Sequence, residues 1–181
     1  MNLSTPQGEK IRADCHKICG MNTDAFRHLY GYHFSENRIM WDRYVAQMSD
    51  EQFTQAINYS LGSVQNQIVH LIWVDDVWFS GLRGIALPEP LHPANFPNRE
   101  SIRAHWDVVE QNMHNYLAQL RDEMLFEKPL EGEDENLAVW QVLLQVVNHG
   151  TDHRAQIFRV FSDMGIKTVS QDYIFYAYDN P

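Results

Sequence analysis

The sequence predicts an all-α fold. Four long segments repeat apolar residues at three- and four-residue steps, no segment alternates apolar and polar residues as a half-buried strand would, and the prolines of the central region fall between these segments. The first helix is expected from about Asp24 to Met48, carried by Phe26, Leu29, Tyr30, Phe34, Met40, Trp41, Tyr44, Val45 and Met48, with Asn22 or Thr23 as its cap. The second begins near Ser60 or Ser63 and runs through Val64, Ile68, Leu71, Trp78 and Leu82. Apolar residues surround it on most sides, which predicts burial.

Between Gly84 and Arg99 stand Pro88, Pro90, Pro93 and Pro97, a density that forbids a regular helix and predicts a long Pro-rich crossover. Connections longer than about 12 residues are more often functional than decorative, so this one is expected to wall a site or touch another subunit. A third helix starts near Ser101, uses Trp106, Val109, Met113, Tyr116, Leu117 and Leu120, and ends before the acidic turn at 129–134. The fourth, about Asn136 to Met164, has the seam Val139, Val142, Val146, His149, His153, Ile157 and Val160. Gly150 is a poor helix former, costing about 1 kcal/mol relative to alanine, and predicts close approach of a neighbouring backbone or ligand. A short aromatic segment, Asp172 to Tyr178, follows the turn at Gly165; Trp41, Trp73, Trp78, Trp106 and Trp140 read as core.

The chain of 181 residues is the size of one domain and needs no disulfide or structural metal to bury a core. Its formal charge of −10, with no run of Lys or Arg, lacks the basic face a phosphate backbone requires, so no nucleic acid partner is expected. No stretch approaches the roughly 18 apolar residues of a spanning helix, and the N-terminus lacks the continuous apolar run of a secretory signal. The expected location is the cytoplasm, away from membranes. Cys15 and Cys19 cannot form a disulfide framework; with His16 they fall short of the four ligands of a structural zinc site.

His149 and His153 are four residues apart, so on a helix their rings lie one above the other on one face. Because they replace apolar seam positions, unligated rings would bury unsatisfied nitrogens at about 1 to 3 kcal/mol each. His70 lies in the second apolar helix. Together the three predict a metal site with positions left open for water or substrate. Imidazole suits several transition metals, and zinc or nickel is preferred here. Asp75 or Asn37 is expected to receive a second ring N–H from the ligands. Asp75 and Asp76 include a candidate general base, but the surface reading is favoured, since Asp75 at i+5 is not squarely on the His70 face. Arg154 is expected to pair with an acid, and His33 to take a polar or pocket role.

Three stretches carry a family resemblance: Tyr32-His33-Phe34-Ser35-Glu36-Asn37, then Val69-His70-Leu71-Ile72 with Trp78, then Val147-Asn148-His149-Gly150-Thr151-Asp152-His153-Arg154-Ala155-Gln156-Ile157. They resemble the DinB/YfiT-like family of bacterial damage-inducible proteins. The resemblance covers about residues 23 to 178 and leaves 1–22 as an N-terminal extension to a bundle domain at 23–181; the family's usual proline after the Gly165 turn is absent. It implies an up-down-down-up four-helix bundle, commonly a homodimer, whose His70, His149 and His153 positions hold one divalent metal. It also implies a small-molecule substrate and, in some relatives, activation of a low-molecular-weight thiol in transferase or isomerase reactions; others are described only as metal-dependent hydrolases. Two expectations follow. One is a metal-dependent enzyme activating thiol or water; the other is a stress-response protein that binds a metal or small molecule without turnover.

Overall fold

A computed structural model describes residues 22–181. Cys15, His16 and Cys19 lie outside the described residues. The regular secondary structure is all helical, with no strand among the described residues. Helix α1 spans Thr23–Arg43, and the Asn22 side chain accepts the Ala25 N–H at 2.8 Å as its cap. The apolar period expected to carry this helix to Met48 changes form at Tyr44, where the backbone leaves the helical region and a 3-10 turn, Val45–Gln47, follows. Val45 and Met48 remain buried, so the periodicity located the core residues while the backbone holding them tightened. A short α2, Asp50–Thr54, begins with a reciprocal Ser49 and Gln52 capping box.

Helix α3 spans Val64–Leu82, with Ser63 Oγ accepting the Asn66 N–H at 3.0 Å. It stops at Gly84, whose φ of +64° suits glycine, and the Ile85 N–H closes back on the Ser80 carbonyl. The connection to α4 has one 3-10 turn, Pro93–Asn95, packed on α3. Helix α4, Arg99–Gln119, starts slightly before Ser101 because Asn98 and Ser101 form its cap. Arg99 also fastens α4 to the 3-10 turn that follows α1, donating to the carbonyls of Val45 and Met48 at 2.7 and 2.6 Å. Helix α5, Val139–Asp163, starts after Asn136 because a 3-10 turn occupies Gly132–Asp134 and the Val139 N–H donates to the Glu127 carbonyl. The C-terminal aromatic segment forms α6, Tyr173–Asp179.

The four long helices share one core. Helix α3 packs against α4 and α5, and α1 packs against the same two. Tyr30, Met40, Ile68, Leu71, Ile72, Phe79, Ile102, Trp106, Met113 and Phe161 are essentially inaccessible to solvent. Trp41 and Trp106 lie within this core, and Trp78 and Trp140 pack on it partly exposed. Trp73 stands apart from that cluster, against the expectation that all five tryptophans are core. The α3–α5 contact sets two seam positions of α5 opposite one turn of α3, and there the polar groups gather.

Candidate metal centre

Helix α3 is apolar enough to be buried nearly all round, so the polar residues Gln67 and His70 on one of its faces need partners from α5. His149 and His153 supply them. The Nε2 atoms of His70 and His149 are 3.2 Å apart, and ligand nitrogens of all three histidines lie within 4.8 Å of one another. Two nitrogens held about 2.1 Å from one ion at roughly tetrahedral angles would themselves be a little over 3 Å apart, so the pair spacing fits a shared cation. His153 is buried, whereas His70 and His149 are partly exposed, which leaves an approach from solvent.

Protonation favours the same reading. Burial pushes the His149 imidazole down to about 4, helped by neighbouring His153 and His70 and opposed by Asp75 and Asp152. Burial and then His153 lower His70, and burial lowers His153. All three rings therefore present lone pairs near neutral pH, the form that binds a metal.

The ring partner of His153 is Gln67, which sequence reasoning missed. Gln67 Oε1 accepts from His153 Nδ1 at 2.6 Å, which turns Nε2 toward the cluster. Gln67 Nε2 in turn donates to Gln156 Oε1 at 3.2 Å, and Gln156 Nε2 donates to Asp152 at 2.9 Å. An amide one turn before His70, on the same face of an otherwise apolar helix, was the available signal.

Asp75 and Asn37, expected to orient the metal-ligating rings, do something else. Asp75 is 1% exposed, which corrects the surface reading; its Oδ2 lies 3.6 Å from His33 Nε2, and neither carboxylate oxygen has a hydrogen-bond partner. The error came from judging Asp75 by the His70 face of α3, when it points toward α1. Asn37 Nδ2 is 3.1 Å from His33 Nε2, and Asn37 Oδ1 accepts from Arg154 Nη1 at 2.8 Å. His33 is fully buried against α5 at Gly150, where a Cβ would stand 2.5 Å from its Cε1. The close approach predicted for Gly150 is thus by a side chain, and not by backbone or ligand.

Arg154 is also fully buried, yet among the described residues no carboxylate is within ion-pair distance of it. It donates to Asn37, to Thr151 Oγ1 at 3.1 Å and to Gln171 Oε1 at 3.2 Å, and its guanidinium lies 5.6 Å from the Tyr32 ring centre. The expected acid partner is replaced by neutral acceptors, and burial lowers the guanidinium pKa despite the longer-range pull of Glu36 and Asp75.

A family model for the DinB family matches residues 21–180. The chain belongs to the DinB family. It is also similar to Protein DinB of Bacillus subtilis (strain 168), at 24% identity over 167 residues, covering 87% of this chain and 96% of that protein. The DinB-family match spans both helices that carry the histidines. No helix among the described residues is long and apolar enough to cross a membrane.

Proposed function

We propose that His70, His149 and His153 hold one divalent transition metal, zinc or nickel, and that this DinB-family chain is an enzyme in which the site activates a thiol or a water. The convergence of three neutral imidazoles, with His70 and His149 Nε2 atoms 3.2 Å apart, carries the reading. A bound dipositive ion supplies Lewis acidity, lowering a water's pKa toward about 7 or favouring a thiolate. The chain's own part is to hold three ligands on two rigid helices, to fix His153 through Gln67, and to leave His70 and His149 reachable by a small-molecule substrate. The up-down-down-up order, the homodimer and the cytoplasmic setting belong to the same proposal; sedimentation of the purified protein tests the dimer.

A second reading has its own support. The only group of histidine, cysteine or acidic side chains found converging as a ligand set among the described residues is the three histidines, and Asp75, the buried acid of α3, turns to His33. No carboxylate is thereby committed as a general base, which suits a protein that binds a metal or small molecule without turnover. Elemental analysis of untagged protein purified without added metal tests the site. About one equivalent of zinc or nickel in the wild type, lost in His70→Ala and His153→Ala, is expected; a wild type without metal sinks the site. Metal-dependent reaction of a thiol with an electrophile then separates enzyme from binder.

A further inference from the structure

A cavity of about 310 Å³ opens beside His70. Val69, His70 and Trp73 of α3 form one wall, and Pro90, Leu91 and Pro93 of the long connection form the other. A larger cavity, about 410 Å³, lies between the end of α3 and the 129–134 turn and is lined by none of the three histidines. Because His70 lines it, the 310 Å³ cavity adjoins the candidate centre, and its size is at the lower end for a small-molecule pocket.

Its lining selects a ligand. No lysine or arginine borders it, and Arg154, next in sequence to His153, is committed to Asn37, Thr151 and Gln171. A carboxylate or phosphate seated here would lose water without gaining a cation from the cavity walls, in a chain that already carries a formal charge of −10. The apolar complement is prepared instead. The Trp73 indole is held by its Nε1–H on the Pro88 carbonyl at 3.4 Å, with its ring centroid 6.1 Å from that of His70. Two polar groups remain at the edge. The Ala94 N–H donates to His92 Nδ1 at 3.1 Å, so the neutral ring carries its proton on Nε2 as a donor. Asn66 Nδ2 is committed to the Leu61 carbonyl at 2.7 Å, and its Oδ1 remains an acceptor.

We infer that this cavity seats an uncharged apolar or aromatic group of the substrate, stacked on Trp73 and covered by the Pro90–Pro93 stretch, next to the His70 edge of the centre. The inference rests on the proposed function for its chemistry but on the cavity alone for its selectivity. It assigns the long connection the work of choosing substrate.

The test is calorimetric titration of the zinc-loaded full chain with three probes: 2-phenylethanethiol, N-benzylacetamide and the anionic thiol mercaptosuccinate. On metal-free His153→Ala protein, where no ion chelates the thiol, both aromatic probes should bind at least about tenfold more tightly than mercaptosuccinate; on the zinc-loaded chain Trp73→Ala should weaken both by about tenfold while zinc content stays at the wild-type level. Leu91→Asp, on the opposite wall and outside the helices, should have the same effect and guards against misfolding of the first variant. Equal or tighter binding of mercaptosuccinate to the metal-free protein, or no loss in both variants, overturns the inference. N-benzylacetamide has no thiol, so its Trp73-dependent binding to metal-free His153→Ala protein would keep the cavity even if the metal reading failed.

Discussion

Helix α5 places two polar regions within six residues, and they solve opposite problems. His149 and His153 meet His70 nitrogen to nitrogen: the His70 and His149 Nε2 atoms, 3.2 Å apart, share at most one proton, and the buried His149 Nδ1 has no partner. The next residue, Arg154, meets Asn37, Thr151 and Gln171, donors facing acceptors, and with His33 it closes a layer between α1 and α5. The first arrangement leaves ring nitrogens that a cation could take up. The second is complete apart from the Asp75 carboxylate, and its cost is a buried charge with no acid in contact. Polar residues on an apolar seam are thus not one category: whether their groups are alike or complementary decides between a binding site and a structural layer.

Removing the arginine should break the second region and spare the first. Arg154→Met keeps the volume but leaves Asn37 Oδ1, Thr151 and Gln171 without their donor and removes the positive charge that faces Glu36 and Asp75. Breaking such a buried network typically costs about 3 to 5 kcal/mol. Urea unfolding should show a loss of that order, while zinc bound per folded chain stays near one. A variant as stable as the wild type would mean that the charge was a net burden that methionine relieves, as replacement of buried ionic groups by apolar ones sometimes does.

The converse change is Gln67→Leu. It is expected to lower metal affinity about 10- to 100-fold by freeing the His153 ring to turn, and to cost the metal-free protein about 1 to 3 kcal/mol because the buried His153 Nδ1 loses its partner. Competition against a chelator reads the affinity. If affinity is unchanged, Gln67 is not what orients His153, and the short contact between them is only packing.

The unequal legibility of the two regions has the same physical origin. Helical periodicity is local, so four long helices and the i,i+4 pair could be read along the chain, and His70 could be joined to them because a lone imidazole on an apolar helix needs a partner. The Gln67–His153 contact spans 86 positions and the Arg154–Asn37 contact spans 117. Nothing in the local pattern says which helix faces which. Asp75 was misjudged for that reason: its burial is set by His33 of α1, not by its angle to His70. The same holds for Trp73, whose spacing matches core tryptophans but whose neighbour is the proline-rich connection.

The smallest expected effect is on pH, and it separates the regions because it comes from the acceptor-rich one. His149 is shifted from its ordinary 6.5 to about 4, and His70 and His153 are lowered as well. Between those values the unfolded chain takes up protons that the folded, metal-free chain does not. The stability these rings support is therefore full above about pH 6.5 and declines as pH falls toward 4. Partial exposure of His70 and His149 lets solvent screen the effect, so it should be modest. Metal-free wild type and metal-free His149→Gln, unfolded in urea at pH 7 and at pH 5, give the comparison. The wild type should lose more stability on acidification than the variant, because the variant has one fewer ring to protonate on unfolding. Equal losses would mean that the His149 imidazole is not held neutral by its surroundings, and the case for three converging lone pairs would lose its electrostatic support.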